Sequence, residues 1–311
     1  MIRPVELSVI IPVYNGKDFI GATIQSVLSN SSGFPVECIV IDDGSNDETS
    51  NIIDTYQGQI RTYRQNNSGE GSAVNLGLKH SRGMYAVVVS ADDPVLTPKL
   101  FEGVTSFFLS NKNVVAWYPD WNIIDSQGRK VKTIKLPDYD FNDLFSRNKV
   151  LPGPGTWFRI DAALAIGGRE TKWKYVGDYD FWLRLSRMGS LVHRSGVLAQ
   201  WRRHPLSTSI AERGLAMAQE RISVIEEFIK KNEDELSTNS ISLARAHASY
   251  MAARLGFFSK SVNSRKLFLE SIKINTRVVT SIKLHEMIFM LTFPMSKNLT
   301  DFLQRLRKKD A

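Results

Sequence analysis

The stretch Ala86-Val87-Val88-Val89-Ser90-Ala91-Asp92-Asp93-Pro94 decides how the chain reads. A β-branched run passes into two adjacent carboxylates, and a proline stops it. Such a run fits a strand buried on both faces, as in a parallel sheet. Open α/β sheets place their ligands at strand ends. Two carboxylates there suit a hard divalent cation, which usually accompanies phosphate. An Asp-Pro turn with solvated acids is the other reading. The stretch alone does not choose between them.

Working outward, the same pattern recurs. Leu7–Val13 is a β-branched strand that ends in Tyr14-Asn15-Gly16. Phe19, Ile20, Thr23, Ile24, Val27 and Leu28 follow at helical spacing. Val36–Ile41 is a second buried strand and ends in Asp42-Asp43-Gly44-Ser45-Asn46-Asp47, a turn with N-caps for the helix through Ile52, Ile53 and Tyr56. Ile60–Arg64 reads as a third strand, Asn66–Gly71 as a glycine-containing loop and Ala73–His80 as a short helix. Strands and helices alternating in this way imply a parallel, doubly wound sheet. Neither Gly-x-Gly-x-x-Gly nor a Walker A sequence is present, so dinucleotide and P-loop readings lose their support. Acids mark the strand ends instead. Acids at two such ends suggest a nucleotide clasped by hydrogen bonds and a metal.

The 311 residues allow one large α/β domain with an appendage, or two domains. A net charge of +8 points to nucleic acid, an anionic membrane surface or a phosphorylated substrate. No nucleic-acid motif is present and no dense Lys/Arg run lies in the sheet region, so nucleic acid is not the expected partner. The one cysteine, Cys38, sits in an apolar run and reads as a buried, inert thiol. The chain enters its first strand directly, without a signal-peptide core, and contains no run of about 18 apolar residues. It is therefore expected in the cytoplasm, with peripheral contact to the inner face of the membrane left open.

Beyond residue 100 the pattern is mixed. Leu100–Leu109 is helical, Val114–Tyr118 a strand, and Trp121–Asp125 with Lys130–Ile134 a hairpin. Leu151–Trp157 is a Pro/Gly loop leading into a strand and the helix Asp161–Ile166, closed by Gly167-Gly168. Gly177-Asp178-Tyr179-Asp180 enters another helix, and Leu191–Val197 is a further strand. From about Ala211 glycine and proline become rare and the pattern is helical. The last segment, Glu286–Leu306, and the cluster Arg305, Arg307, Lys308 and Lys309 fit either a core-packed terminal helix or a membrane-surface helix. Residues 1–210 and 211–311 are the expected domains.

Taken in order, Ser8–Asn15, Ile41-Asp42-Asp43-Gly44-Ser45, Ser90-Ala91-Asp92-Asp93, Gly167-Gly168 and Gly177–Arg184 resemble the family 2 inverting glycosyltransferases. The resemblance covers about Leu7–His204. It implies an α/β GT-A fold: a Rossmann-like, mostly parallel mixed sheet flanked by helices, with an all-helical C-terminal extension. It implies metal-dependent transfer from a UDP- or dTDP-sugar to a glycan or lipid-linked acceptor, as in bacterial surface polysaccharide assembly. Pro12, Tyr14, Asn15, Asp43, Gly69, Asn75 and Asp92 take the nucleotide-sugar positions. Asp93, with His204, takes the Mn2+ or Mg2+ position, and Asp178 that of the base. Thr156 and Trp157 border the acceptor side, and Arg202 and Arg203 are either diphosphate contacts or surface charges. Three departures stand out: Ser90 replaces an acid of many relatives, Val74 an arginine and Gly177 a glutamate. They keep a second reading in view, a nucleotide-sugar-binding module without catalysis whose helical tail recruits partners.

Overall fold

A computed structural model of the chain describes residues 5–149, 152–204, 214–258, 264–282 and Met287. In chain order the elements are β1 (Leu7–Val13), α1 (Ile20–Asn30), β2 (Val36–Asp42), α2 (Thr49–Asp54), β3 (Arg61–Arg64), α3 (Glu70–His80), β4 (Tyr85–Val88) and α4 (Val104–Ser110). There follow β5 (Val114–Ile124), β6 (Lys130–Ile134), α5 (Phe141–Leu144), β7 (Trp157–Arg159), α6 (Ile160–Ala165), α7 (Gly177–Leu185), β8 (Ser190–Arg202), α8 (Gly214–Asn232), α9 (Thr238–Phe258) and α10 (Ser264–Ile274).

Four parallel strands in the order β3-β2-β1-β4 form one half of the sheet. All seven residues of β1 are buried, as a strand covered on both faces requires. On one face α3 lies so close that a Cβ on Gly77 would collide with the Ile10 side chain. β7 runs antiparallel between β4 and β5, so β5 points the same way as the first four strands. β6 turns back on the end of β5, and β8 runs parallel to β5 along its whole length.

Two local expectations change. β4 ends at Val88, two residues before Ser90. The stretch read as a strand followed by a hairpin is one strand, β5, that passes straight through Pro119 and Asp120. Its register with β8 shifts there, which is where a strand tolerates a proline. The Asp120 carboxylate fills the bulge, accepting from the Leu136 amide at 2.9 Å and the Gly196 amide at 3.3 Å, with His193 Nε2 at 2.9 Å.

The chain divides into two compact units, Met1–Tyr139 with Leu151–His204, and Asp140–Val150 with Pro205–Ala311. Residues 140–150 therefore cluster with the helices, although the sequence places them in the first domain. The rings of Phe141 and Phe145 lie 6.3 and 5.4 Å from that of Phe228 on α8, and Asn148 Nδ2 donates to the Ala244 carbonyl on α9 at 3.3 Å. Within the helical unit Ala246, Tyr250, Ala253 and Phe268 form an apolar core. Among the described residues no helix is long and apolar enough to cross a membrane. The terminal segment read as a helix, Met287 apart, and its basic cluster lie outside the described residues. Cys38 is buried in β2, and burial followed by the nearby Glu37 charge pushes its thiol up to about 12.

Candidate active site

Because β1–β4, β5 and β8 run the same way, the loops that follow β1, β2, β3, β4 and β8 leave from one edge of the sheet. That is the edge where open α/β sheets take ligands. Tyr14, Asn15, Asp43, Gly69, Asp92, Asp93 and His204 lie on those loops, whereas Pro12, Asn75, Thr156, Trp157 and Asp178 lie elsewhere.

At the end of β1, Pro12 is buried within the strand, whereas Tyr14 just beyond it is 48% exposed. Asn15 has a left-handed backbone (φ 50°) and ties two loops together. Its amide donates to Ser45 Oγ and its Oδ1 accepts from the Asn46 amide, both at 2.9 Å. Asp42 serves the same loop, accepting from the Ser45 amide and the Ser50 hydroxyl at 2.8 and 2.6 Å. Asp43 is only 3% exposed. Its Oδ1 accepts from Gln65 Nε2 at 2.7 Å and from the Ser68 amide at 2.9 Å, and its Oδ2 from the Gly69 amide at 2.8 Å. A carboxylate has about four lone-pair sites, so Oδ2 keeps one beyond the three bonds that Asp43 accepts. Gly69 (φ 88°) caps α3. Asn75, six residues further on within α3, spends its amide on the Arg169 backbone, accepting from N–H at 2.7 Å and donating to C=O at 2.8 Å.

The Asp-Asp stretch meets the end of β8. Asp93 is buried, and its Oδ1 accepts from the Arg202 amide at 2.6 Å. Asp92 Oδ2 lies 2.8 Å from His204 Nε2, and the His204 ring leans on Phe19 at 4.9 Å. Burial first, and then the Asp92 charge, hold the Asp93 carboxyl well above the usual carboxylate range. Arg202 is no free diphosphate contact. Its Nε donates to the Asp92 carbonyl at 2.8 Å and its Nη1 to the carbonyls of Asp125 and Ser126 at 3.1 and 3.0 Å, over the Phe19 ring. It locks the turn in place. Arg203 is exposed. Among the described residues no group of three His, Cys, Asp or Glu side chains is placed to hold a metal by itself. Mg2+-like cations rarely use all-protein cages; they bind one or two carboxylates together with substrate phosphates. A buried carboxylate made costly by its acidic neighbour fits that kind of site.

Asp178 lies exposed in the first turn of α7, its Oδ1 accepting from the Tyr179 amide at 2.7 Å. The loop leading to it passes the start of α3, where a Cβ on Gly71 would stand 3.6 Å from Arg169 and 3.8 Å from Thr171. Asp180, in the same turn as Asp178, accepts from Arg184 Nε and Nη2 at 2.8 and 2.6 Å. Burial still outweighs Arg184 and raises the Asp180 carboxyl. The two acceptor residues are also corrected. Trp157 is fully enclosed (0% exposed) and donates Nε1 to the Leu100 carbonyl at 3.0 Å, while Thr156 is buried with its hydroxyl on the Gly153 carbonyl at 2.7 Å. Apolar β7 is sandwiched between β4 and β5, so neither side chain presents a face to a sugar. Gln65, Ser68 and Phe19 were not singled out by the sequence. They act through partners distant along the chain, and only the polar character of residues 65–68 hinted at their role.

Comparison with known proteins bears on the family and the fold. The family model described as glycosyl transferase family 2 matches residues 8–166. An uncharacterised glycosyltransferase of Rickettsia typhi is 30% identical over 233 residues, 72% of each chain. The chain spans 65% of a Rickettsia prowazekii relative and only about a third of three other rickettsial ones, at 34, 34 and 30% of their length. Among solved structures, S. aureus TarS 1-349 in complex with UDP-GlcNAc superposes with a TM-score of 0.61 at 16% identity, covering 88% of this chain and 81% of that one. A mannosyltransferase from Pyrobaculum calidifontis in complex with GDP-Man and Mn2+ gives a TM-score of 0.53 at 14% identity, covering 93 and 79%. These structural likenesses establish the shared GT-A fold. With the family model across half the chain and a relative matched over most of its length, the chain belongs to glycosyltransferase family 2.

Proposed function

We propose that the chain transfers a glycosyl group, with inversion, from a UDP- or dTDP-sugar to a hydroxyl of a glycan or lipid-linked glycan, in bacterial surface polysaccharide synthesis. The carrying observation is the buried Asp93 with Asp92 and His204 at the strand edge that also holds Asp43. Tyr14 stacks on the base and Asp43 accepts its imide N–H. The Asp178 carboxylate takes the acceptor's hydroxyl proton as that oxygen attacks the anomeric carbon. The bond from that carbon to the diphosphate oxygen breaks, and the nucleoside diphosphate leaves. Asp93, with Asp92 and His204 beside it, is the set that would hold Mn2+ or Mg2+, whose chemistry is to neutralise the leaving diphosphate. Exposed Asp178 suits an encounter with an acceptor arriving from solvent. The Mn2+ complex of the Pyrobaculum mannosyltransferase supports the metal, and the TarS complex supports a uridine donor.

A thermal-shift panel of UDP-, dTDP- and GDP-sugars with and without Mn2+ tests the reading. A cognate donor at 100 times its Kd stabilises by about 2.7 kcal/mol. Metal-dependent stabilisation should vanish in Asp93→Ala, and donor turnover should vanish in Asp178→Asn. If wild type turns over no donor while binding it tightly, the catalytically silent module is the correct description. If no nucleotide sugar stabilises it, both readings fail.

A further inference from the structure

The turn Ile166-Gly167-Gly168-Arg169 is gripped from two sides. From α7, Arg184 donates Nη1 to the Ile166 carbonyl at 2.7 Å and Nη2 to the Gly168 carbonyl at 2.8 Å, while Asp180 holds the same guanidinium. From α3, Asn75 closes a two-bond ring with the backbone of Arg169. Arg169 itself reaches back to Glu70 at 2.7 Å. Both glycines are left-handed (φ 79° and 70°), and a Cβ on Gly168 would strike the Asn75 side chain. The turn therefore admits one packing between the two helices. One of them, α3, begins at Gly69, which Asp43 holds. The other, α7, carries Asp178 in its first turn, two residues before Asp180.

All three nitrogens of the Arg184 guanidinium and both polar atoms of the Asn75 amide are engaged inside this network. That is the condition of groups that hold other groups. We propose that Asn75, Asp180 and Arg184 are positioning residues. They fix the first turn of α7, and so the Asp178 carboxylate, relative to α3 and the nucleotide edge. The proposal rests on Asp178 being the base. It also moves Asn75 from the donor contact implied by the family resemblance to a support for the base.

The test is steady-state turnover of the stabilising nucleotide sugar by the full chain with Mn2+. Asn75→Ala suits a helix interior. Asp180→Asn is combined with Arg184→Gln so that no buried charge is stranded. A misplacement of about 1 Å can cost a hundredfold in rate. Each variant should lower kcat by about tenfold, with donor KM within about twofold of wild type. Combined, they should lose clearly less than the hundredfold product, because both release the same turn. Unchanged kcat, a KM rising as far as kcat falls, or losses that multiply in full would overturn the proposal. Should the paired variant not fold, Asn75→Ala alone decides by the same split: kcat lowered with donor KM kept supports the proposal, and an unchanged kcat or a KM rising as far as kcat falls overturns it. If Asp178→Asn turns over donor like wild type, the underlying assignment of the base fails. If Asp178→Asn loses turnover while the Asn75 and Arg184 variants keep wild-type kcat, that assignment stands and the positioning role falls.

Discussion

Replacing Asp43 by asparagine exchanges one oxygen for an NH2 group in a cradle built of donors. The remaining oxygen can serve Gln65 Nε2 and the Ser68 amide, as Oδ1 does now. The new NH2 then faces the Gly69 amide, donor against donor, where Oδ2 accepted at 2.8 Å. A hydrogen bond to a charged group contributes roughly 1.5–3 kcal/mol. Loss of an anion at the start of α3 adds roughly 0.3–1 kcal/mol. Together D43N should cost about 2–4 kcal/mol, and at about 2–4 °C per kcal/mol for a domain of this size the transition should fall by about 4–16 °C. Scanning calorimetry of the full chain measures this directly. The same variant loses the free lone pair of Oδ2, so UDP should bind about tenfold more weakly, equivalent to about 1.4 kcal/mol, as titration calorimetry would show. A D43N protein melting within a degree of wild type would refute the structural half of this reasoning. Unchanged UDP affinity would remove Asp43 from the base site.

Other residues give independent checks. Burial alone would lift the Asp42 carboxyl, but hydrogen bonds from Ser50 and Ser45, with Arg64 nearby, outweigh it and hold it below the usual carboxylate range. A depressed value means stability that is present at neutral pH and lost as pH falls through the folded value. Urea melts should show the loss below about pH 4 in wild type, and a flatter profile in Asp42→Asn. Gly44 has φ +77° and a Cβ there would stand 2.8 Å from the Asn67 amide nitrogen, so Gly44→Ala should cost about 1–3 kcal/mol or more in urea unfolding. Trp157→Phe, which drops the bond to Leu100, should lose about 1–3 kcal/mol of stability and leave the acceptor KM unchanged; a raised KM would return Trp157 to the acceptor side.

Much of this was legible because the information is local. The buried runs of β1, β2 and β4 and the acids that follow them are contiguous, and a parallel sheet needs little more to be recognised. The turn after β2 was legible as well: Asp47, just ahead of the first residue of α2, accepts from the Thr49 amide at 3.0 Å, although the cap position itself falls to Glu48 without a side-chain bond. What stayed hidden depends on partners far along the chain. Nothing near Asn75 says that its amide meets a backbone 94 residues away, and nothing near Arg202 says that it binds the carbonyl of Asp92. Asp180 near a helix start is held by an arginine one turn on, and the pair in turn grips a loop that no local pattern names. Trp157 followed a Pro/Gly loop and read as an acceptor-side residue, yet pairing of β7 on both edges buried it.

The excursion of residues 140–150 has a practical side. His204 is the obvious place to trim the chain to its first unit. Such a cut would take away Phe228 and Ala244 and leave Phe141, Phe145 and Asn148 behind without their partners. Aromatic side chains bury about 150–250 Å2 each, so the shortened protein would display a sticky patch that the whole chain conceals. This stitch makes the helical unit more than a removable appendage, and truncation or domain exchange has to carry residues 140–150 along with it.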